Sequence, residues 1–392
     1  MAPDDPAPRR PLTPGQRRGV AFFALALLCL LAMEVGADFT PRKLGAVFAL
    51  LFWVPLLIVH ELGHAWTARA LGWGVDTMVL GYGPELGRFR VGATRVVLRA
   101  VPVEGHVLPT PDRLEHARLK NALVYFGGPA AELLVIGLLY GVLGERLLMH
   151  TDELGIIALQ GLGLAAAMGV VMNLAPHRLG GAASDGLGIL TSAALPQAVL
   201  SYRMVLPSLR QAERLLDQDQ ATVAVEVLEQ ALAGHPTSAP LRILRARCLA
   251  QAGDQVAAVR ELETIRDDPQ VPEMFEAERL HAAACIVLEG GDKGLLDDAL
   301  DACTAALQRQ PEHPDYLITQ GGLYLKKGLS TPAYKALQQA YRSTSDPWVE
   351  DRCLAYLSAA ARARGESDEA QLYADALRAR SSSPRLLRVV GG

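Results

Sequence analysis

Four stretches of about 20 apolar residues, all within the first 174 positions, constrain this chain more than any other feature. Gly19 to Ala37 carries a single charge, Glu34. Leu44 to Trp66 is apolar until His60. Asn121 to Leu143 holds one acid, Glu132, and Leu154 to Asn173 holds only Gln160 and the terminal Asn173 as polar side chains. A helix of about 20 residues crosses a hydrocarbon core of ~30 Å. Four such runs in so short a stretch argue for membrane-spanning helices over the buried helices of a soluble domain. No A-x-A-like cleavage site follows the first, which reads as a retained helix. Averages hide this: the chain is 50% hydrophobic and 20% charged, yet the second half is charged, Ala- and Leu-rich and free of long apolar runs. A net charge of −4 gives no electrostatic case for nucleic acid. Five scattered cysteines without a CxxC pair indicate neither a disulfide framework nor a cysteine zinc knuckle, and the soluble half fits a reducing compartment.

Basic residues set the orientation. Arg9, Arg10, Arg17 and Arg18 precede the first run, and only Arg42 and Lys43 follow it. The segment between the second and third runs carries Arg69, Arg88, Arg90, Arg95, Arg99, Arg113, Arg118 and Lys120, whereas the next loop holds Arg146 alone. The N-terminus, residues 67–120 and everything after 174 are therefore expected in the cytoplasm.

The second run ends in His60-Glu61-Leu62-Gly63-His64, an HExxH sequence. Residues i and i+4 share a helix face, so both imidazoles can reach one Zn²⁺. Glu61 is turned by about 100° from His60, close enough to touch a bound water and relay its proton to a leaving amine. Zinc lowers the pKa of such a water toward ~7. A histidine–glutamate–histidine cluster in an apolar segment is expensive unless it has a function.

A catalytic zinc takes a third protein ligand and keeps one open position. Asn173-Leu174-Ala175-Pro176 ends the fourth run, and Gly180-Gly181 and Ser184-Asp185-Gly186 follow. The alternating topology brings Asp185 to the same cytoplasmic side as His60 and His64. Asp185 reads either as the third ligand or as the N-cap of a helix over 187–195.

These motifs, in this order, resemble the site-2 protease family, the zinc intramembrane metalloproteases of peptidase family M50, over about residues 44–195. His60-Glu61-Leu62-Gly63-His64 matches the family's HExxH. Gly81-Tyr82-Gly83-Pro84 and Pro102-Val103-Glu104-Gly105-His106-Val107 resemble its Gly-x-Gly-Pro and Pro-x-Gly-Gly-x-Val stretch, with Glu104 where a second Gly is usual. Gly127-Gly128-Pro129 resembles its Gly-Pro motif, with Glu132 where Asn is frequent. Asn173 to Asp185-Gly186 resembles its Asn-Pro-Asp-Gly motif at a longer spacing. The resemblance implies a Zn²⁺ cofactor held by His60, His64 and Asp185, catalysis through Glu61, and a membrane-associated β-hairpin with strands over 88–91 and 94–101. It also implies hydrolysis of a peptide bond in or near a transmembrane segment of a single-pass membrane protein, in an inner (plasma) membrane. Asn173 is a candidate to hydrogen-bond the substrate backbone or the oxyanion, or is simply a polar helix end. His106 reads as a surface residue.

Residues 206–380 repeat at a period of 34. Ala224, Val225, Leu228 and Glu229 recur as Ala258, Val259, Leu262 and Glu263, and Ala299, Ala302 and Ala306 recur as Ala333, Ala336 and Ala340. This resembles four to five tetratricopeptide repeats, whose groove binds a protein or peptide. His235, His281 and His313 read as turn or surface residues. The expected fold is mainly α: a polytopic membrane helix bundle of about four spans (19–200), bearing the hairpin, followed by the α-helical tetratricopeptide-like repeat domain (206–380). An amphipathic interfacial helix over 187–206 joins them, and the tails 1–18 and 381–392 are expected to be disordered. The expected function is an intramembrane zinc endopeptidase whose cytosolic repeats recruit substrate or regulator. The competing expectation is a catalytically degenerate, membrane-anchored scaffold acting through its repeats.

Overall fold

The computed structural model describes residues 32, 36, 37 and 39–391, apart from 180–181, 269–270, 291–292, 345–346, 380 and 382. The expected N-terminal tail and most of the first span lie outside the described residues. Two compact units divide at Met204 and Val205.

The first unit is built on three long helices, α1 (Leu44–Ala70), α2 (Ala117–Leu143) and α3 (Leu154–Leu174). They are long and apolar enough to cross a membrane, yet only 17–33% of their most apolar windows is buried. Leu51, Val54, Leu134, Leu138, Leu164 and Val171 are exposed. An apolar helix in a soluble core would hide such side chains, whereas a lipid-facing helix presents them. Among the described residues there are three such helices, or up to four if one bent pair counts as a span. That pair is α4 (Asp185–Ser192) and α5 (Gln197–Asp217), bent by 116°. The single joining helix expected over 187–206 is thus two, broken around Pro196.

The three helices pack closely through small residues. A Cβ on Gly127 of α2 would lie 2.6 Å from the Gly63 carbonyl of α1, so the two backbones meet directly. Ala49 and Leu56 of α1 pack with Ala165 and Ala166 of α3. At its C-terminus α1 is stopped by Gly72 at φ +82, where Trp73 N–H bonds back to Ala68 O at 2.9 Å.

Between α1 and α2 runs an antiparallel pair, β1 (Gly74–Val91) and β2 (Thr94–Thr110), turning at Gly92-Ala93 with Gly92 at φ +60. The strands are longer than the expected 88–91 and 94–101, and register irregularities bend both. As a result 77–80 has partners in 105–108 and also in 95–98. A two-residue pair, β3 (Arg178–Leu179) with β4 (Ala182–Ala183), closes the excursion between α3 and α4.

In the second unit the helices stack as hairpins: α6 (Ala221–Gly234) on α7 (Ala239–Gln251), then α8 (Gln255–Arg266), α9 (Glu276–Gly290) on α10 (Leu296–Arg309), α11 (Pro314–Lys326) on α12 (Ser330–Ser343), and α13 (Pro347–Ala363) on α14 (Ser367–Arg378). The alternate helices α7, α9, α11 and α13 also pack on one another in turn. The repeating alanines are buried where helices cross: Ala224, Ala258, Ala299, Ala306, Ala333 and Ala340. The C-terminal segment, expected to be disordered, forms α15 (Pro384–Gly391). Its Leu386 and Val390 pack with Leu354, Ala355, Ala374 and Leu377. Apolar residues at i and i+4 give the short helix a buried stripe, a pattern hidden by the Ser-rich run before it. His281 is likewise buried rather than on the surface, with its Nε2 2.9 Å from Thr319 Oγ1.

Candidate metal centre

His60 and His64 lie one turn apart on the inward face of α1, and both are buried. Their Nε2 atoms are 3.0 Å apart. From α4, Asp185 Oδ2 is 3.0 Å from His60 Nε2, and Oδ1 is 3.3 Å from His64 Nε2. One donor atom from each residue falls within 4.8 Å of the others, and this is the metal-competent group found among the described residues.

The longer spacing between Asn173 and Asp185 does not displace the carboxylate, because the excursion closes on itself. Ser184 Oγ donates to Ala175 O at 2.7 Å and accepts from His177 N–H at 3.1 Å, and Ser184 N–H bonds to His177 O at 3.0 Å. Residue 184 is thereby pinned beside residue 175. The N-cap of α4 is Ser184, which accepts from Leu187 N–H at 3.3 Å. With the cap supplied by its neighbour, Asp185 is free to turn toward the imidazoles.

Helix α2 supplies the floor. A Cβ on Gly128 would lie 2.5 Å from His64 Nε2 and 2.6 Å from His60 Nε2, so only glycine leaves that space open. Val124 O is 2.6 Å from His64 Nδ1. Gly128 N–H also lies 3.2 Å from the same nitrogen. One nitrogen cannot donate and accept in the ring plane at once. The shorter contact governs: His64 Nδ1–H donates to Val124 O, which turns the Nε2 lone pair toward the cluster. His60 Nδ1 has Glu132 Oε1 at 3.3 Å and Asn173 Nδ2 at 3.4 Å. Asn173, half-buried at the end of α3, thus sits beside the histidine pair.

Glu61 is buried, and its carboxylate faces β2: a Cβ on Gly105 would lie 2.6 Å from Glu61 Oε1. His106, next in the strand, is exposed as expected.

Three carboxylates and two imidazoles therefore share one apolar interior. Glu61 Oε2 and Glu132 Oε2 lack any hydrogen-bond partner, and Asp185 Oδ2 faces only the His60 imidazole. Among the described residues, Glu132 and Asp185 form ion pairs with histidine alone. Uncompensated buried carboxylates are costly, and a divalent cation would offset that cost. The Nε2–Nε2 separation of 3.0 Å is near the ~3.3 Å edge of a tetrahedron with bonds of ~2.0–2.1 Å, and each imidazole also has a carboxylate oxygen of Asp185 within 3.3 Å. Two imidazoles and one carboxylate leave a fourth position open, the pattern of a catalytic zinc site.

Sequence reasoning did not foresee a second buried network. Arg203 Nη1 donates to Asn121 Oδ1 at 3.0 Å, Asn121 Nδ2 to Ser192 Oγ at 2.8 Å, and Ser192 Oγ to Gly188 O at 2.6 Å. It ties α2 to α4 and α5, and so braces the helix that carries Asp185. A buried Asn–Ser–Arg set from three distant segments leaves no local signature in the sequence.

Peptidase family M50 matches residues 47–346. A Clostridium perfringens protein named "Putative zinc metalloprotease" is 38% identical over 93 residues, which are 23% of this chain and 27% of that protein. The zinc metalloprotease Rip1 of Mycobacterium tuberculosis is 34% identical over 110 residues, 24% of this chain and 27% of its own. The chain thus covers about a quarter of the length of these relatives. A thermophilic TPR protein of Thermus thermophilus aligns with 46% of this chain and 94% of its own at 19% identity, with a TM-score of 0.38, too low to assign a fold. The family match runs through more than half of the chain and takes in both the imidazole pair and Asp185, so the chain belongs to peptidase family M50.

Proposed function

We propose that this chain is a zinc metalloendopeptidase acting on a membrane protein, cutting a peptide bond in or near a transmembrane segment. The observation that carries this reading is the convergence of His60, His64 and Asp185 in a buried interior, with Glu61 beside them, on a helix whose outer face is apolar and exposed. His60, His64 and Asp185 would hold the ion. Zinc bound there supplies a Lewis acid that makes water a competent nucleophile near neutral pH and polarises the scissile carbonyl.

The protein's own groups do the rest. Glu61 takes the proton of the attacking water and returns it to the leaving amine. Asn173, beside His60 at the end of α3, would donate to the substrate carbonyl as charge develops on it. A helical peptide bond is shielded by its own hydrogen bonds, so the substrate must unwind first. The 105–108 stretch of β2 pairs with β1 on one side, and among the described residues no strand pairs on its other side. Gly105 packs against Glu61. An unwound substrate segment adding to that edge by β-augmentation would lie beside the reacting groups. In this reading the hairpin is membrane-associated, the bias of basic residues favours a cytoplasmic N-terminus and repeat domain, and the repeats would recruit substrate or regulator.

The test is a cleavage assay with a co-expressed single-pass membrane protein. Wild type cuts it. Glu61→Gln, which keeps the ligand set, retains zinc and loses cleavage by at least about 10³-fold. If the Glu61→Gln protein cleaves like wild type, the enzyme reading fails and a scaffold role takes its place.

A further inference from the structure

We propose that Glu132 of α2 is a positioning residue for the metal, fixing His60 as its Nδ1–H tautomer, and that Gly169 of α3 is kept free of a side chain to seat this carboxylate. The proposal rests on the zinc reading above.

The two imidazoles need the same service. Each must present Nε2 unprotonated to the ion, which requires an acceptor at Nδ1. His64 has a backbone acceptor, Val124 O. Among the described residues His60 Nδ1 has no backbone acceptor; the acceptor facing it is Glu132 Oε1 at 3.3 Å. Asn173 Nδ2 lies 3.4 Å from the same nitrogen and competes for it as a donor; the carboxylate is the nearer contact and a charged acceptor, so it governs the tautomer.

Glu132 reaches this place by helical spacing. It lies four residues after Gly128, on the same face of α2. Gly128 is the residue whose missing side chain makes room for both imidazoles. Thus α2 carries one position that opens the pocket and, a turn later, one that orients its contents.

Stability does not explain the residue. Glu132 is only 4% exposed, lies in an apolar helix, and leaves Oε2 without a hydrogen-bond partner. Such a group is costly in a membrane segment and marks function. The opposing helix is shaped for it. A Cβ on Gly169 would lie 2.9 Å from Glu132 Cδ and closer still to Oε1. Any side chain at 169 must therefore displace the carboxylate from this seat.

The experiment is a chelator competition for zinc on the full chain in detergent, with the melting temperature of the metal-free protein read in parallel. Glu132→Ala is expected to weaken zinc binding about 10–100-fold. Glu132→Gln, which still offers an oxygen acceptor, weakens it less. Gly169→Ala, which leaves the carboxylate in the chain but displaced, weakens it too, and adds little in a Glu132→Ala background. Cobalt substituted for zinc should show a changed visible absorption spectrum in Glu132→Ala.

The proposal is overturned if Glu132→Ala holds zinc as tightly as wild type, or if the losses in Gly169→Ala and Glu132→Ala are fully additive. It is also overturned if the melting temperature falls while zinc affinity is unchanged, which is the mark of a merely structural role. Failure of the underlying reading looks different: wild type itself would then retain no zinc.

Discussion

Each residue of the metal centre is held by a neighbour that does no chemistry. Val124 O orients His64, Gly128 opens the space in front of both imidazoles, and Ser184 takes the capping duty that would otherwise occupy Asp185. Ser184 isolates this logic best, because its hydroxyl bonds to Ala175 O and serves both His177 N–H and Leu187 N–H. Ser184→Ala should cost about 1 kcal/mol of local stability and weaken zinc several-fold, because Asp185 loses its fixed start to α4. Ser184→Thr keeps the hydroxyl and should restore most of the affinity. Equal zinc affinity in all three proteins would show that the cap plays no part in placing the carboxylate.

At the scale of elements, α2 is the common partner. It meets α1 through Gly63 and Gly127, lines the pocket through Gly128 and Glu132, and holds α4 and α5 through Asn121. Asn121→Leu removes an acceptor from the buried Arg203 and a donor from Ser192. The expected loss is about 1–3 kcal/mol, read as a lower melting temperature in detergent. An unchanged melting temperature would mean the network braces nothing. Much of this was legible from spacing. HExxH on a helix places two imidazoles one turn apart, and the alternation of apolar runs leads to the expectation that Asp185 ends on their side. Other parts were not legible. Asp185 sits where a cap is expected, and only the closure from Ala175 to Ser184 separates the two roles. Glu132 stood out as the lone acid of its apolar run, but its partner lies 72 positions away on another helix. Gly169 carries no signal at all, since a small residue in a membrane helix is ordinary. The sequence pattern shortens the hairpin strands because Gly and Pro within them look like strand ends, whereas here they bend a continuous pair.

The whole molecule joins a lipid-facing helical unit to a stacked helical array, and different forces stabilise each. The array buries small alanines at its crossings and also polar groups that must remain neutral. Burial holds the His281 imidazole neutral down to about 3, with the Arg247 charge adding repulsion. In the unfolded chain the same imidazole takes a proton near 6.5. Its contribution to stability is therefore present above pH 6.5 and is lost as the pH falls from 6.5 toward 3, at up to about 1.4 kcal/mol per pH unit. His313, stacked on Tyr316 and held by burial down to about 4, acts in the same direction. The melting temperature of the repeat array within the full chain should thus fall between pH 7 and pH 5, and His281→Asn should flatten that slope. A wild-type slope no steeper than the variant's would contradict the assignment.

The account stands or falls on three side chains from two distant segments sharing one ion. The most direct measurement is zinc per chain in the purified full-length protein, wild type beside Asp185→Ala, by elemental analysis after dialysis against a weak chelator. The account predicts one zinc per wild-type chain and a near-complete loss in Asp185→Ala. A wild-type protein without zinc, or an Asp185→Ala protein that retains it in full, would contradict it.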